Sequence, residues 1–337
     1  MRAGRFGRLC LPGLVAAMLL VACGGGGTKQ TAQATAVGPQ ATQIAAAASP
    51  TAAQESRTFT DDNGKTLTIP QPPKRVVALS PSVVEILYAI GAPPVARVSS
   101  AVYPEEAKSL PAVGSSYQPS IEQIAAQQPD LIIADQQIQR PDVIAELEKV
   151  APVFAMRVLT VDDLLKGLRT AGRIMGKAEQ GERAAQAIAD KFAAVQAKLP
   201  AQRPTVFIMV GTADAFFAAK PTSFVGDVVQ RLGARNLVTE GPDTAGFPGF
   251  TTYSLERLVQ LDPDVILVAT AAPPNAPRAS QVLAANPAWA NLRAVKSGRV
   301  YEIDPVTLVQ SAGPRVAQQV DELARYLYPS VFAATTR

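Results

Sequence analysis

From Arg75 onward the chain alternates short, unbroken apolar runs with stretches of helical period. Val76–Leu79, Leu131–Ala134 and Val153–Met156 are apolar at consecutive positions, the pattern of strands covered on both faces. Between them, Ser82 to Ile90 predicts a helix, with Ser82 and Glu85 as a capping box and Gly91 as its stop. Thr160 to Gly176 predicts a second, capped by Thr160 with Asp163. A third runs from Ala178 to Leu199 and ends at Pro200; Ile188, Phe192, Val195 and Leu199 share one face. At 1.5 Å per residue this helix is about 33 Å long, enough to cross a small domain. The alternation then restarts, with strands at Val206–Val210, Val265–Val268 and Val300–Ile303 and a helix at Phe224–Leu232. Upstream, Thr58–Thr60 and Thr66–Ile69 flank an Asn63-Gly64 turn and predict a β-hairpin. The fold class implied is α/β with mainly parallel sheets.

The two halves share a segment. Residues 120–133 and 254–267 carry Ser, Glu, Pro and Asp at matching places, always 134 positions apart, on the same apolar pattern. Each copy reads as a Ser-capped helix, a Pro-Asp turn and a buried strand. The expected architecture is two related α/β lobes joined by the long helix, with a ligand cleft between them. The lobes are expected at 58–160 and 201–333, and the joining helices at 161–200.

The N-terminus has a different character. Arg2, Arg5 and Arg8 precede an apolar stretch from Leu9 to Ala22, the layout of a secretory signal over 1–22. Leu20-Val21-Ala22-Cys23 resembles a bacterial lipoprotein box, which would make Cys23 the lipidated first residue of the mature chain. The following segment to residue 57 is rich in Gly, Ala, Thr and Gln, and reads as a disordered leash with a reach of roughly 30 Å. The protein is therefore expected on the outer face of the cytoplasmic membrane, held there by lipid.

Composition removes several chemistries. The chain has 337 residues and a formal charge of +4, and three of its cations are the arginines of the signal segment. A near-neutral body argues against nucleic acid. There is no histidine, and the two cysteines are Cys10 and Cys23. A Ser-His-Asp triad, His-containing zinc sites and thiolate clusters are thereby excluded. Gly172 to Lys177 has three residues between its glycines where a phosphate-binding loop needs four. No enzyme and no cofactor are expected.

Four segments carry a family resemblance: Arg75-Val76-Val77-Ala78-Leu79-Ser80-Pro81-Ser82, Ser120-Ile121-Glu122 with Pro129-Asp130, Ser254-Leu255-Glu256 with Pro263-Asp264, and Gly298-Arg299-Val300-Tyr301. Over residues 58–333 the chain resembles the helical-backbone substrate-binding proteins of ABC importers for cobalamin, haem and ferric siderophores. The resemblance implies that Glu122 and Glu256 dock a permease dimer with cytoplasmic ATPase subunits, and that the protein works as a monomer. It implies a cleft lined by Tyr103, Tyr117, Phe217 and Phe250, with Tyr117 and Phe250 on the approaches to the two repeat helices. Trp289 reads as core, and Arg315 as a helix-start residue outside the site. Gln310 and Ser311 stand before Ala312-Gly313-Pro314-Arg315 where some relatives carry a charge, which counts against an anionic catecholate. With no imidazole to offer, the chain is expected to take a chelate whose metal is already coordinated, or to supply a tyrosinate. That ranks a corrinoid first, haem second and a neutral ferric siderophore third. The alternative is a surface sensor or scaffold lipoprotein that binds a partner protein.

Overall fold

The computed structural model describes residues 57–212, 215–244, 247–270 and 277–332. The signal segment, Cys23 and, Arg57 aside, the leash lie outside the described residues. Among the described residues no helix is long and apolar enough to cross a membrane.

The first lobe opens with the hairpin β1 (Thr58–Thr60) and β2 (Thr66–Thr68), turned at Gly64 with φ +82°. Asp61 secures it: one carboxylate oxygen accepts from the N–H groups of Asn63 and Lys65, the other from that of Ala155. The hairpin thus covers the edge of β6 (Val153–Met156), which would otherwise offer free backbone groups. The remaining elements are β3 (Val76–Ala78), α1 (Pro81–Ala89), β4 (Ala96–Arg97), α2 (Ile121–Ala126), β5 (Leu131–Asp135) and α3 (Pro141–Leu147). The four strands pair in parallel in the order β4-β3-β5-β6. The start of α1 differs from the sequence expectation. Ser80 is the cap, its hydroxyl accepting from Val83 N–H, and Pro81 opens the helix. Glu85 is released from any capping role and is buried.

Two antiparallel helices follow, α4 (Val161–Ile174) and α5 (Ala178–Gln196). Thr160 and Asp163 form the expected capping box on α4. Gly172 and Gly181 let the helix axes approach: a Cβ on Gly181 would lie 2.5 Å from the Leu168 carbonyl oxygen. α5 spans about 28 Å and packs against both α1 and a helix of the second lobe, α10 (Val316–Leu327).

The second lobe contains β7 (Thr205–Gly211), β8 (Phe216–Ala219), α6 (Phe224–Arg231), β9 (Arg235–Asn236), β10 (Phe250–Thr252) and α7 (Leu255–Leu261). β11 (Val265–Thr270), α8 (Ala279–Ala285), α9 (Arg293–Lys296) and β12 (Val300–Glu302) complete it before α10. The sheet order is β10-β8-β7-β11-β12, with β9 beside the start of β7. β7, β9, β11 and β12 run parallel; β8 pairs antiparallel with β7, and β10 antiparallel with β8. Phe217 and Phe250 therefore sit on strands rather than in loops. These strands are too short for a period to show in the sequence. Alternate residues of β7 face two cores, Val206 and Ile208 one way and Phe207 and Met209 the other. Trp289, 1% exposed, fills the second core, as expected.

The repeat extends to the backbone. Ser120 and Ser254 cap α2 and α7, each accepting from the N–H three residues on. Asp130 accepts from Lys74 and Arg75 N–H, and Asp264 from Thr205 N–H, so each aspartate staples its strand to the start of the neighbouring one. Among the described residues the two non-glycine positions at positive φ are Gln128 (+48°) and Asp262 (+41°), again 134 apart. A left-handed residue here is costly for either side chain. Its recurrence marks two copies of one turn.

Candidate ligand cleft

In a parallel sheet the loops leaving the carboxyl ends of the strands form the usual ligand crevice. Here the loops after β3, β4, β5 and β6 face the second lobe across a cavity of about 370 Å³. The second lobe contributes Phe224 of α6, the Phe247–Phe250 segment, and a single π-helical turn at Val306–Gln310. π-Turns recur at functional sites because they reaim side chains within a helix.

Exposed apolar side chains concentrate at this cavity. Of eight large hydrophobic residues left exposed among those described, five line it: Val102, Tyr103, Tyr117, Phe247 and Val306. Burial elsewhere is efficient, so an apolar rim of this kind marks a surface kept open for a partner. Tyr103, Tyr117 and Phe250 take the places expected of them in the wall. Phe217 does not. It stacks behind Phe247 with ring centroids 5.9 Å apart, holding that ring rather than facing the cavity. Nothing local in the sequence separates Phe247 from ordinary loop packing.

Arg315 also departs from expectation. It does stand at the start of α10, yet its side chain reaches the cavity wall. Its Nε and Nη2 donate to the two oxygens of Glu85, at 3.0 and 2.6 Å, and its guanidinium covers the Tyr103 ring at 4.3 Å. Ser311 Oγ donates to the same carboxylate at 2.6 Å. Glu85 belongs to α1 and its partners to the segment before α10, so this buried cluster ties the two lobes together. Gly313 permits it, since a Cβ there would lie 2.9 Å from Glu85 Oε2. Breaking one partner of such a buried pair typically costs about 3–5 kcal/mol.

The first-lobe wall is braced from within. Asp135, the last residue of β5, lines the cavity with its carboxylate accepting from Gln137 N–H at 2.9 Å. Its own N–H donates to Gln139 Oε1, while Gln139 Nε2 donates to the carbonyls of Ser116 and Leu79. Gln139 thereby positions the loop that carries Tyr117. Burial pushes the Asp135 carboxyl up to about 6, against the opposing pull of the Gln137 and Ser80 hydrogen bonds.

The repeat glutamates lie away from the cavity. Glu122 and Glu256 are both exposed, each in the first turn of its helix. The Glu256 carboxyl is held below its usual range by its own backbone N–H and by the Ser254 hydroxyl. Negative charge at a helix start is favourable on dipole grounds alone.

The sequence profile of the family described as periplasmic binding protein matches residues 76–307. The chain belongs to that family. Among its relatives is an ABC transporter substrate-binding lipoprotein of Bacillus subtilis, YvrC, 26% identical over 289 residues, covering 82% of this chain and 86% of that one. A cobalamin-binding protein of Halobacterium salinarum is 24% identical over 272 residues, covering 78% and 72%. Among solved structures, a periplasmic haem-binding protein of Pseudomonas aeruginosa superposes with a TM-score of 0.64 at 29% identity, covering 77% of this chain and 94% of that one. This binding protein thus shares its overall two-lobe fold with solved relatives. Of its wall residues, Asp135 and Phe247 carry no sequence expectation, Glu85 reads in the sequence as a capping residue, and Arg315 as a helix-start residue outside the site. An acid closing an otherwise apolar strand, as in Leu131–Asp135, is the one local signal that could have flagged any of them.

Proposed function

We propose that this protein is the extracytoplasmic substrate-binding component of an ABC importer and that its interlobe cleft captures a preformed metal chelate. The observation that carries this reading is the concentration of exposed Tyr103, Tyr117 and Phe247, with Val102 and Val306, around one cavity fed by both lobes. Aromatic faces give large apolar contact with few rotamers to freeze, which suits a flat macrocycle. A corrinoid ranks first, because the ring and its appended base satisfy cobalt and the protein need only enclose it. Haem ranks second, with Tyr117 or Tyr103 as the axial oxygen, and a neutral ferric siderophore third. The cobalamin- and haem-binding relatives support this range of cargo. The protein is held at the membrane by lipidated Cys23 and acts as a monomer. It offers Glu122 and Glu256 to the two permease subunits, since a duplicated binder can present one carboxylate to each half of a two-fold partner. The lipoprotein relative supports the anchor and the transporter role.

The test is the absorption spectrum and intact mass of the purified protein after exposure to cyanocobalamin, haemin and a neutral ferric hydroxamate. One equivalent of a chelate retained at micromolar concentration is expected. Loss of a ferric charge-transfer band in Tyr117→Phe would move haem to first place. Retention of none would reject the chelate reading.

A further inference from the structure

We propose that Asp135 is a specificity-determining residue of the cleft: it accepts a hydrogen bond from a neutral or cationic chelate and disfavours chelates that present carboxylate or catecholate oxygens. The inference rests on the chelate reading above and narrows it.

The charge inventory of the wall is short. Among the described residues that line the cavity, the ionisable acids and bases with formal charge are Glu85, Asp135 and Arg315. Arg315 is already paired with a carboxylate through two of its three nitrogens. Its Nε and Nη2 both donate to Glu85, and its flat face is covered by Tyr103. Both Glu85 oxygens are likewise occupied, by Arg315 and by Ser311 Oγ. The pair cancels, and what remains is the carboxylate of Asp135.

Asp135 is 7% exposed, and among the described residues no cation pairs with its carboxylate. Its hydrogen-bond partners are neutral, the Gln137 N–H and the Ser80 hydroxyl. A buried anion with so little compensation costs free energy, and a purely structural role would be served as well by asparagine. Placed in a mainly apolar cavity wall, whose other polar side chains apart from the Glu85–Arg315 pair are neutral serines, tyrosines and glutamines, the group instead offers an anionic acceptor to whatever enters. The raised proton affinity of Asp135 has the same origin, burial without a counter-charge. Peripheral carboxamides of a corrinoid present N–H donors to such a site. The propionates of haem and the oxygens of ferric citrate or a ferric tris-catecholate would meet a like charge, with the one cation of the wall already neutralised by Glu85.

The experiment is equilibrium titration of the purified full-length protein with cyanocobalamin (neutral), aquocobalamin (cationic), haemin and ferric citrate, for wild type and Asp135→Asn. A hydrogen bond to a charged group is worth about 1.5–3 kcal/mol and one to a neutral group about 0.5–1.5, so cobalamin affinity should fall by about five- to tenfold in Asp135→Asn, which keeps a neutral acceptor. Haemin and ferric citrate should bind the variant more tightly than wild type. Glu85→Gln, which leaves Arg315 without its buried counter-ion, should strengthen the two anionic chelates in the same direction. A cobalamin-to-haemin ratio unchanged by Asp135→Asn, or both affinities falling together, overturns the role of Asp135 while leaving the chelate reading intact. Failure of all four probes to bind wild type overturns both.

Discussion

Replacing Asp135 by asparagine should stabilise the ligand-free protein at neutral and alkaline pH. In the fold the carboxyl is pushed from 3.8 up to about 6 by burial. The folded state therefore binds the proton more tightly than the unfolded state. Its favourable contribution is complete below about pH 4 and is lost as pH rises through 6. Each pH unit of difference corresponds to about 1.4 kcal/mol, so the ionised side chain costs the fold on the order of 3 kcal/mol at pH 8. Asparagine keeps the geometry, since its carbonyl oxygen can accept from Gln137 N–H as Asp135 does, but it carries no charge to desolvate. Urea denaturation of wild type and Asp135→Asn between pH 4 and pH 8 reads the effect. The two midpoints should lie close together at pH 4, with the variant's advantage growing steadily to pH 8. A variant less stable than wild type at pH 8, or a gap independent of pH, would refute the reasoning, because Asp135 would then be held by interactions that favour its charge.

Three further outcomes are expected. Cys23→Ser should release the protein from the membrane fraction or leave its signal segment uncleaved, as read by fractionation and intact mass; normal processing would exclude the lipid anchor. Glu122→Ala with Glu256→Ala should leave chelate binding intact and impair uptake more than either single change, because exposed ion pairs are individually worth about 1 kcal/mol or less; normal uptake at limiting binding-protein concentration would reduce both residues to helix-start charges. Gly181→Ala should lower thermal stability by about 1–3 kcal/mol as the added methyl meets the Leu168 carbonyl, whereas an unchanged melting temperature would show that α4 and α5 can part without cost.

Local chemistry was legible in the chain, and long-range pairing was not. Ser120 and Ser254, Thr160 with Asp163, and the Asn63-Gly64 turn act within a few residues of themselves, so their roles follow from spacing alone. The repeat was visible because its anchors recur at one offset, and the left-handed Gln128 and Asp262 show the duplication reaching the backbone. Glu85 was misread as half of a capping box for the opposite reason. Its partners Ser311 and Arg315 lie 226 and 230 residues away, and only the folded chain brings them together. Phe217 and Phe247 show the same limit at smaller scale. Phe217 lies on β8, a strand of four residues and too short for a period to register, and Phe247 lies in the loop before β10, so only the folded chain stacks the two rings and decides which one faces the cavity.

The central claim, that the cleft between the lobes holds the chelate, is tested most directly by amide hydrogen exchange of the full-length protein with and without saturating cyanocobalamin. Protection should appear together at residues 100–103, 116–117, 247–250 and 306–311, segments that contribute cavity-lining residues from both lobes. The exposed turns carrying Glu122 and Glu256 should stay unchanged. Exchange unaltered in those four segments would contradict the account, as would protection confined to a single lobe.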